Sequence, residues 1–488
     1  MDSRRRHEDL GRAGATDVAG FAAITRERRG SPLHEPRRGS EHRSVKVLVG
    51  ILVMGLIAVA SLAATAIGST KAKTISVAIV ANPQMQDIAS LTPSLFTAKT
   101  GIKVKYTILD EGKLRQVTTR DVGSGGKAFD AVMIGMYEAP QFGTAGLIQN
   151  LTPKAKADKS YNYNDLIPAV RNGLSAKGNL YASPFYGESS FVMYRKDVLK
   201  KAGVTMPARP TWDQVAKIAR KINSKSMAGI CLRGKPGWGD LGAAFTTVLN
   251  TFGGTWWSST SNGKPSKAMV DQPAFKSALD FYAKLVQDAG EKDAANSSFN
   301  ECLAQYQAGK VAMWYDATVA AGLLEAKDSP VKGKNGYALA PVKKTKASGR
   351  LWSWALAIPK SSPDAADAWK YISWATSAQY IKAAGTHTKG GWASIPPGTR
   401  LSTYKLPQYK KAAAAFAAKT LQAMQAAPIK NPGTTKRPGL PGVQYVGIPQ
   451  FQDVGNRCTQ LFSRVIAGAA KDTDALSQCQ SIASKAIK

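Results

Sequence analysis

Aromatic side chains stand close to polar or charged ones at several points of this sequence. The pairings are Tyr137 with Glu138, Tyr186 with Glu188, Arg233 with Trp238, Trp314 with Asp316, Trp352 and Trp354 around Ser353, and Trp392 after Gly391. An aromatic ring packs against the C–H face of a polyhydroxylated molecule, and charged side chains form strong hydrogen bonds with its hydroxyl groups. A single tryptophan is more often a packing residue, but the recurrence of the pairing predicts a binding site for a sugar or sugar alcohol.

The sequence gives little support for metal binding or catalysis by histidine. Of the four histidines, His387 alone lies beyond the first 46 residues. One histidine does not build a multi-histidine zinc site, and a serine triad on an α/β-hydrolase fold would need a G-x-S-x-G elbow, which the sequence lacks. The polar neighbours of His387 predict a solvated loop. We therefore expect no catalytic residue, no metal site and no cofactor.

Carboxylates leave one enzymatic alternative open. Glu138, Glu188 and Asp316 each lie beside an aromatic residue. Glycoside hydrolysis uses two carboxyl groups about 5 to 10 Å apart, and sequence alone does not give that separation. The alternative function is therefore a membrane-anchored, carbohydrate-active hydrolase.

The cysteines predict disulfide bonds rather than a metal site. The four cysteines are Cys231, Cys302, Cys458 and Cys479. An even number in an oxidising compartment indicates two disulfides, and the absence of C-x-x-C spacing argues against a zinc knuckle. Of the three possible pairings we favour Cys231–Cys302 and Cys458–Cys479, because each keeps its loop within one region. Four buried free thiols are the alternative.

Hydrophobic periodicity predicts alternating strands and helices, which is typical of an α/β fold with parallel pairing. The predicted strands are 74–81, 102–109, 129–134, 311–315 and 354–359. The predicted helices are 85–97, 111–121, 211–223, 274–289, 364–376, 453–467 and 474–487. The Pro- and Gly-rich stretch 428–449 is predicted to be a long surface connection.

The N-terminus predicts export. Residues 1–46 are polar, basic and predicted to be disordered, and residues 47–70 contain no charged side chain. About 20 apolar residues span a bilayer, and the preceding arginines favour a cytoplasmic N-terminus. Ala64-Thr65-Ala66 fits a cleavage site, so 47–70 is either a signal peptide or a retained membrane anchor. Translation from a start near Val45 is a third alternative.

The basic charge is diffuse. The chain has 66 Lys and Arg against 33 Asp and Glu, a net charge of +33. A nucleic-acid binder usually concentrates such charge in one stripe or arm, whereas here it is spread along the chain. We therefore expect no nucleic-acid partner. A basic surface without a specific partner is the favoured interpretation, and attraction to an anionic envelope surface is the more specific alternative.

Seven segments together resemble one known family. They are FDAVMIGMYEAPQFG (129–143), YASPFYGESSFVMYRKDVL (181–199), GICLRGKPGWGD (229–240), VAMWYDATVA (311–320), LWSWALAIPKSSP (351–363), GGWASIPPGTR (390–400) and VQYVGIPQFQDVG (443–455). In these segments the chain resembles the family 1 extracellular solute-binding proteins of ABC importers, and within them the receptors for sorbitol, mannitol and related alditols. The resemblance covers essentially all of residues 74–488.

The resemblance implies an α/β fold of the type II periplasmic-binding-protein class, with two lobes joined by a hinge. It implies an N-lobe of about 74–185 and 340–376, a C-lobe of about 190–339 and 377–488, and a first crossing near 185–190. It also implies a monomer in the periplasm or on the outer face of the membrane, which delivers a polyol or small sugar to the ABC permease subunits. The lipid-modified cysteine common in Gram-positive receptors is absent, and the leader is unusually long.

The resemblance also implies which residues contact the ligand between the lobes. Those from the N-lobe are Tyr137 and Glu138, and those from the hinge side are Tyr186 and Glu188. Those from the C-lobe are Arg233, Trp238, Trp314 and Asp316. Further candidates are Trp352, Trp354 and Trp392.

Overall fold

The computed structural model describes residues 73–345, 348–429 and 432–488. The predicted leader 1–46 and the apolar segment 47–70 lie outside these ranges. Among the helices of the described ranges, none combines the length and hydrophobicity needed to cross a membrane.

The described residues form a mixed α/β structure. Its strands are β1 Thr74–Val80, β2 Lys103–Leu109, β3 Ala131–Gly135, β4 Ser175–Ala176, β5 Asn179–Leu180, β6 Ser183–Glu188, β7 Ser190–Arg195, β8 Trp257–Ser259, β9 Pro265–Ala268, β10 Met313–Ala317, β11 Asn335–Leu339 and β12 Trp352–Ala357. Its helices are α1 Pro83–Thr92, α2 Ala98–Thr100, α3 Glu111–Gly123, α4 Glu138–Thr144, α5 Thr152–Ala157, α6 Pro168–Gly173, α7 Lys196–Lys201, α8 Trp212–Ile222, α9 Ala243–Thr251, α10 Pro273–Ala289, α11 Phe299–Gln307, α12 Val319–Leu324, α13 Ala365–Ala375, α14 Ala378–His387, α15 Pro407–Ala412, α16 Ala417–Gln425, α17 Phe451–Ile466 and α18 Asp472–Lys485.

Several single turns complete the secondary structure. Two are π-helical, Pro93–Thr97 and Trp238–Gly242, and four are 3₁₀-helical, Tyr163–Asp165, Ala294–Asn296, Gly391–Ala393 and Leu401–Lys405. Every strand and helix predicted from hydrophobic periodicity is confirmed, with ends displaced by a few residues.

The first sheet has five strands in the order β2-β1-β3-β12-β6. β1 pairs in parallel with β2 and β3, whereas β12 runs antiparallel to β3 and β6. β3 is buried along its whole length, because strands flank both its edges and α3 and α4 pack against it. A strand covered in this way contains a continuous apolar run rather than an alternating pattern.

The second sheet is antiparallel, in the order β10-β7-β11. β6 ends at Glu188 and β7 begins at Ser190, so the chain changes sheets across the single residue Ser189. It returns to the first sheet between Leu339, the end of β11, and Trp352, the start of β12. These two passages connect the parts of the molecule built on each sheet.

Side-chain caps place the first turns of α3 and α11. The Asp110 carboxylate accepts a hydrogen bond from Lys113 N at the start of α3. Ser298 and Glu301 form a reciprocal capping box at the start of α11, which satisfies amides that the helix itself leaves unpaired. These first turns reach the cleft described below.

The disulfide pairing expected from the sequence is confirmed. Cys231 is bonded to Cys302 and Cys458 to Cys479. The first bond joins the segment that precedes Arg233 to α11, and the second joins α17 to α18.

The helices of residues 377–488 pack in two different places. α14 packs against α1 and α13 beside the first sheet, where the ring centroids of Tyr380 and Trp374 are 5.2 Å apart. By contrast, α17 and α18 pack against each other and α10. His387, expected in a loop, is the exposed last residue of α14.

The Pro- and Gly-rich stretch 428–449 is not a surface connection throughout. Residues 442–448 are buried, because apolar side chains such as Tyr445 and Val446 pack into the core. The buried part reaches the cleft through Gln444.

Candidate functional site

A cleft opens where β1, β6 and β12 meet the first turns of α3 and α11. It encloses about 720 Å³ of empty space, counting its open mouth. It is lined by Val80, Ala81, Asn82, Asp110, Glu111, Arg115, Tyr186, Glu188, Arg233, Lys235, Trp238, Gly239, Asp240, Ala243, Ser298, Phe299, Asn300, Glu301, Arg350, Trp352, Trp354 and Gln444.

The structure brings together six of the eleven candidate residues from the sequence. Those that line the cleft are Tyr186, Glu188, Arg233, Trp238, Trp352 and Trp354. Those that do not line it are Tyr137, Glu138, Trp314, Asp316 and Trp392. Four of the latter lie directly behind the lining residues, and Trp392 lies elsewhere.

Asp316 lies behind the cleft as the shared partner of two arginines. Its oxygens accept hydrogen bonds from Arg233 Nε at 2.7 Å and Nη2 at 2.8 Å, and from Arg350 Nη2 at 2.6 Å. Burial by itself raises the pKa of Asp316, but the two guanidinium groups outweigh it and lower the pKa to about 2. Asp316 is therefore ionised, and it fixes Arg233 and Arg350 at the cleft wall.

Arg115 occupies an aromatic cage at the cleft. Its guanidinium carbon lies 4.1 Å from the ring centroid of Trp238, 4.5 Å from that of Trp354 and 5.0 Å from that of Trp352. Such cation–π contacts are stronger when desolvated. Arg115 also donates to Glu138, which accepts from Gly135 N at 2.9 Å as well. Glu138 therefore orients Arg115 from behind.

Glu111 connects opposite walls of the cleft. One of its oxygens accepts from Arg115 Nη2 at 2.8 Å, four residues along α3. Its other oxygen lies 3.5 Å from Arg233 Nη1. The carboxylate thus contacts one arginine beside the first sheet and another beside the second.

Tyr137 and Trp314 support rings of the lining. The ring of Tyr137 lies 4.7 Å from that of Trp238, centroid to centroid, and its hydroxyl donates to Ile448 O at 2.9 Å. Trp314 is fully buried, 5.2 Å from the ring of Phe299.

Trp392 belongs to a different part of the molecule. It packs over Gly385 in α14, where a Cβ atom would come within 2.6 Å of the indole. Gly385 therefore leaves room for this indole away from the cleft.

Two carboxyl groups of the lining have raised pKa values, in contrast to Asp316. Burial raises the pKa of Glu188 to about 7, and burial followed by the charge of Glu111 does the same for Asp240. Asp240 accepts a hydrogen bond from Ser298, whereas within the described residues the Glu188 carboxyl makes no side-chain hydrogen bond of normal geometry. A half-protonated carboxyl can both donate and accept, as recognition of a hydroxyl requires.

The carboxylates proposed for glycoside hydrolysis are not a free pair. Glu138 is bound to Arg115, and Asp316 is bound to Arg233 and Arg350. Of the three candidates, Glu188 is the one that lines the cleft. The arrangement favours binding of hydroxyl groups over paired acid–base catalysis.

Sequence reasoning missed several lining residues. The polar ones are Asn82, Asp110, Glu111, Arg115, Lys235, Asp240, Ser298, Asn300, Glu301, Arg350 and Gln444. A signal was present for three of them, because Asn82, Asp110 and Ser298 are residue types that cap helices directly after an extended segment. Nothing in the local sequence marks Arg350 or Gln444.

Comparisons with known proteins agree on one family. A family model described as bacterial extracellular solute-binding protein matches residues 81–382. A mannitol-binding protein from Pseudomonas aeruginosa is 39% identical over 423 residues, which cover 86% of this chain and 94% of that protein. A solved ABC transporter solute-binding protein from Agrobacterium vitis S4, with bound D-mannitol, is 43% identical with a TM-score of 0.81, and the match covers 85% of this chain and 98% of that one.

A more distant structure supports the fold alone. The ribitol complex of a solute-binding protein from Agrobacterium radiobacter K84 is 23% identical, with a TM-score of 0.72 over 85% of this chain and 98% of that chain. The mixed α/β architecture is therefore that of periplasmic solute-binding proteins.

Proposed function

Because this chain belongs to the bacterial extracellular solute-binding proteins, we propose that its cleft captures a sugar alcohol and presents it to the permease subunits of an ABC importer. The observation that carries the proposal is the lining itself. Three indoles and three arginines line one cleft. One relative is named a mannitol-binding protein, and another was solved with bound D-mannitol.

The electrostatics of the cleft favour a neutral polyhydroxylated ligand. The three arginines of the lining are each already paired with a carboxylate. A charged ligand would have to compete with a buried ion pair, and breaking such a pair is costly. Ligand hydroxyl groups can instead form hydrogen bonds with the arginine N–H groups and carboxylate lone pairs that the ion pairs do not occupy.

The lobe division is part of the proposal. An N-lobe built on the first sheet and a C-lobe built on the second are supported by the passages at Ser189 and between Leu339 and Trp352. The packing of α14 favours an N-lobe that extends beyond Thr376 to include this helix. Ligand binding to both lobes would shift the population toward the closed form.

The remaining parts of the proposal concern location and mode of action. Residues 1–46 and 47–70 act as a basic leader and as a signal peptide or anchor, which places the rest in the periplasm or on the outer face of the membrane. The protein acts as a monomer. It leaves its ligand chemically unchanged, which is supported by the ion pairs that Glu138 and Asp316 form with arginines.

Ligand-induced stabilisation tests the proposal. Purified protein is heated with D-mannitol, D-sorbitol, ribitol, erythritol or D-mannose. A ligand present at about 100 times its dissociation constant should stabilise the folded state by about 2.7 kcal/mol and raise the melting temperature. If none of the alditols raises it, the proposal is wrong.

Titration calorimetry then tests the cleft. Trp238→Ala should weaken binding of the preferred alditol at least about tenfold, or about 1.4 kcal/mol, because it removes a ring of the lining. Trp392→Ala, which removes a tryptophan outside the cleft, is the matched control and should bind normally. Equal affinity for both variants would contradict the site.

A further inference from the structure

Residues 437–449, here called the strap, precede α17 and include the buried part of the Pro- and Gly-rich stretch. The strap closes on itself where Leu440 N donates to Gly447 O at 2.9 Å. Gly439 has a φ of +77°, and a Cβ at Gly447 would come within 2.2 Å of Leu440 O. Glycine at these two positions permits the tight closure.

The strap is fixed to both sides of the cleft. Asn250 Nδ2, in α9, donates to Val443 O at 2.9 Å. On the other side, Tyr445 Oη donates to the carbonyl of Met136, just after β3, at 3.1 Å. Residue 444 lies between these two attachments.

Arg437 holds the strap without an ionic partner. It is buried, and its Nη1 donates to Val443 O at 3.0 Å and to Tyr445 O at 3.2 Å, while Nη2 donates to Asn250. Within the described residues it forms no ion pair. Burying a guanidinium group that donates only to neutral oxygens costs free energy. We therefore expect that Arg437 is present for the geometry that it imposes on residues 443 to 445.

Gln444 reaches the cleft with one polar atom unused. It lines the cleft and is 2% exposed. Its Nε2 donates to Leu351 O at 3.2 Å, whereas its buried Oε1 has no partner among the described residues. Rotating the amide would set oxygen against oxygen, so the unpaired atom is the acceptor.

The neighbouring wall offers the complementary atom. Arg350 precedes Leu351 and also lines the cleft, and its buried Nε has no partner among the described residues. A hydroxyl group needs one acceptor for its proton and one donor for its lone pair. Native structures rarely leave such buried atoms unpaired.

We propose that Gln444 is a ligand-binding residue that accepts a hydrogen bond from one hydroxyl group of the ligand, and that Arg437 is the residue that positions it. This inference rests on the proposed function. The strap then contributes to ligand specificity, because a ligand that lacks the recognised hydroxyl group leaves Gln444 Oε1 unpaired.

The first experiment pairs Gln444→Met with monodeoxy derivatives of D-mannitol in calorimetric titrations. Methionine keeps the length of the side chain and removes the amide. The variant should bind D-mannitol about tenfold more weakly. One deoxy derivative should lose about tenfold in the wild type and nothing further in the variant, because both changes delete the same hydrogen bond.

The second experiment compares Arg437→Lys with Arg400→Lys. Arg400 is also buried, but it is paired with Asp165 and donates to Thr376 O, away from the strap. Lysine does not reproduce the planar fork of arginine, so both variants should melt at a lower temperature. Only Arg437→Lys should weaken D-mannitol binding, and it should add no further loss in the Gln444→Met background.

The outcomes separate the inference from the proposed function. If the wild type binds no polyol, both are wrong. If the wild type binds D-mannitol and Gln444→Met binds it equally well, or if every deoxy derivative loses the same factor in both proteins, the role of Gln444 is wrong and the proposed function stands. Equal affinity losses in the two arginine variants would overturn the positioning role of Arg437.

Discussion

Glu188 and Asp316 are both buried carboxyl groups at one cleft, yet their pKa values move in opposite directions. Burial dominates at Glu188 and raises its pKa to about 7. At Asp316 the contacts with Arg233 and Arg350 exceed the effect of burial and lower the pKa to about 2. One carboxyl group is thus fixed as an anion that holds arginines, and the other can both donate and accept a hydrogen bond with a ligand hydroxyl.

The pH dependence of stability should reveal the state of Glu188. Its folded pKa of about 7 exceeds the ordinary value of 4.5, so its contribution is complete below pH 4.5 and is lost as pH rises through 7. The unfolding free energy of the ligand-free protein should therefore fall across this interval. Urea unfolding of Glu188→Gln should give a shallower fall. A residual slope should remain from Asp240 and Glu291, whose pKa values burial also raises to about 7, and from Asp87, whose pKa burial raises to about 6. An unchanged slope would contradict this assignment.

Sequence reasoning found the residues whose chemistry is visible locally. Trp238, Trp352 and Trp354 stand beside polar residues at strand ends or in loops, and they line the cleft. Glu188 and Asp316 look alike in sequence, because each follows an aromatic residue near a strand end. Only the three-dimensional placement of the arginines separates a carboxyl group that faces the cleft from one that supports it.

At the scale of elements, the buried Cys231–Cys302 bond supports one wall of the cleft from behind. The first turn of α11 supplies Phe299 and Asn300 to the lining. Cys302 lies at the end of that turn, and Cys231 lies two residues before Arg233. The disulfide therefore joins the two segments that carry this part of the lining.

Removal of each disulfide should have different effects. Cys231→Ser with Cys302→Ser opens a bond of sequence separation 71, and Cys458→Ser with Cys479→Ser one of separation 21. Chain entropy predicts losses of about 4 and about 3 kcal/mol of unfolding free energy, measurable with denaturant. Ligand affinity measured well below the melting temperature should fall only in the first pair. A similar affinity loss in both would show that general loosening, rather than α11, is responsible.

Periodicity predicted the elements that have an apolar face or a buried strand core, such as β1 and α8. It did not reveal β6 and β7, because their sequences lack a simple alternation and adjoin each other across Ser189. The burial of the strap was not predicted, because proline and glycine usually mark exposed loops. Its burial depends on Arg437 and on tertiary partners such as Asn250, which no local pattern contains.

At the scale of the whole molecule, contacts cross the cleft at several points. Arg115 of α3 lies over Trp238, and Glu111 approaches Arg233. Asn300 Nδ2 also donates to Ala81 O at 2.8 Å. Under the proposed lobe division these contacts join the two lobes, so we expect them to favour the closed form.

Small-angle scattering should detect the loss of the contact between Arg115 and the indoles. Arg115→Lys keeps the charge but loses the planar contact with the indoles, so the ligand-free variant should have a larger radius of gyration than the wild type. Arg171→Lys, in which the arginine lies over Tyr163 away from the cleft, is the matched control. Equal radii for the wild type and both variants would mean that Arg115 does not bias the open–closed equilibrium.

The strand order of the first sheet also determines when the chain can fold during its synthesis. β12 lies between β3 and β6, so both of these strands keep an unpaired edge until residues 352–357 have emerged from the ribosome. At about 5–20 residues per second, the interval between β3 and β12 lasts roughly 10 to 40 s. The first sheet therefore stays incomplete for most of the translation of the chain.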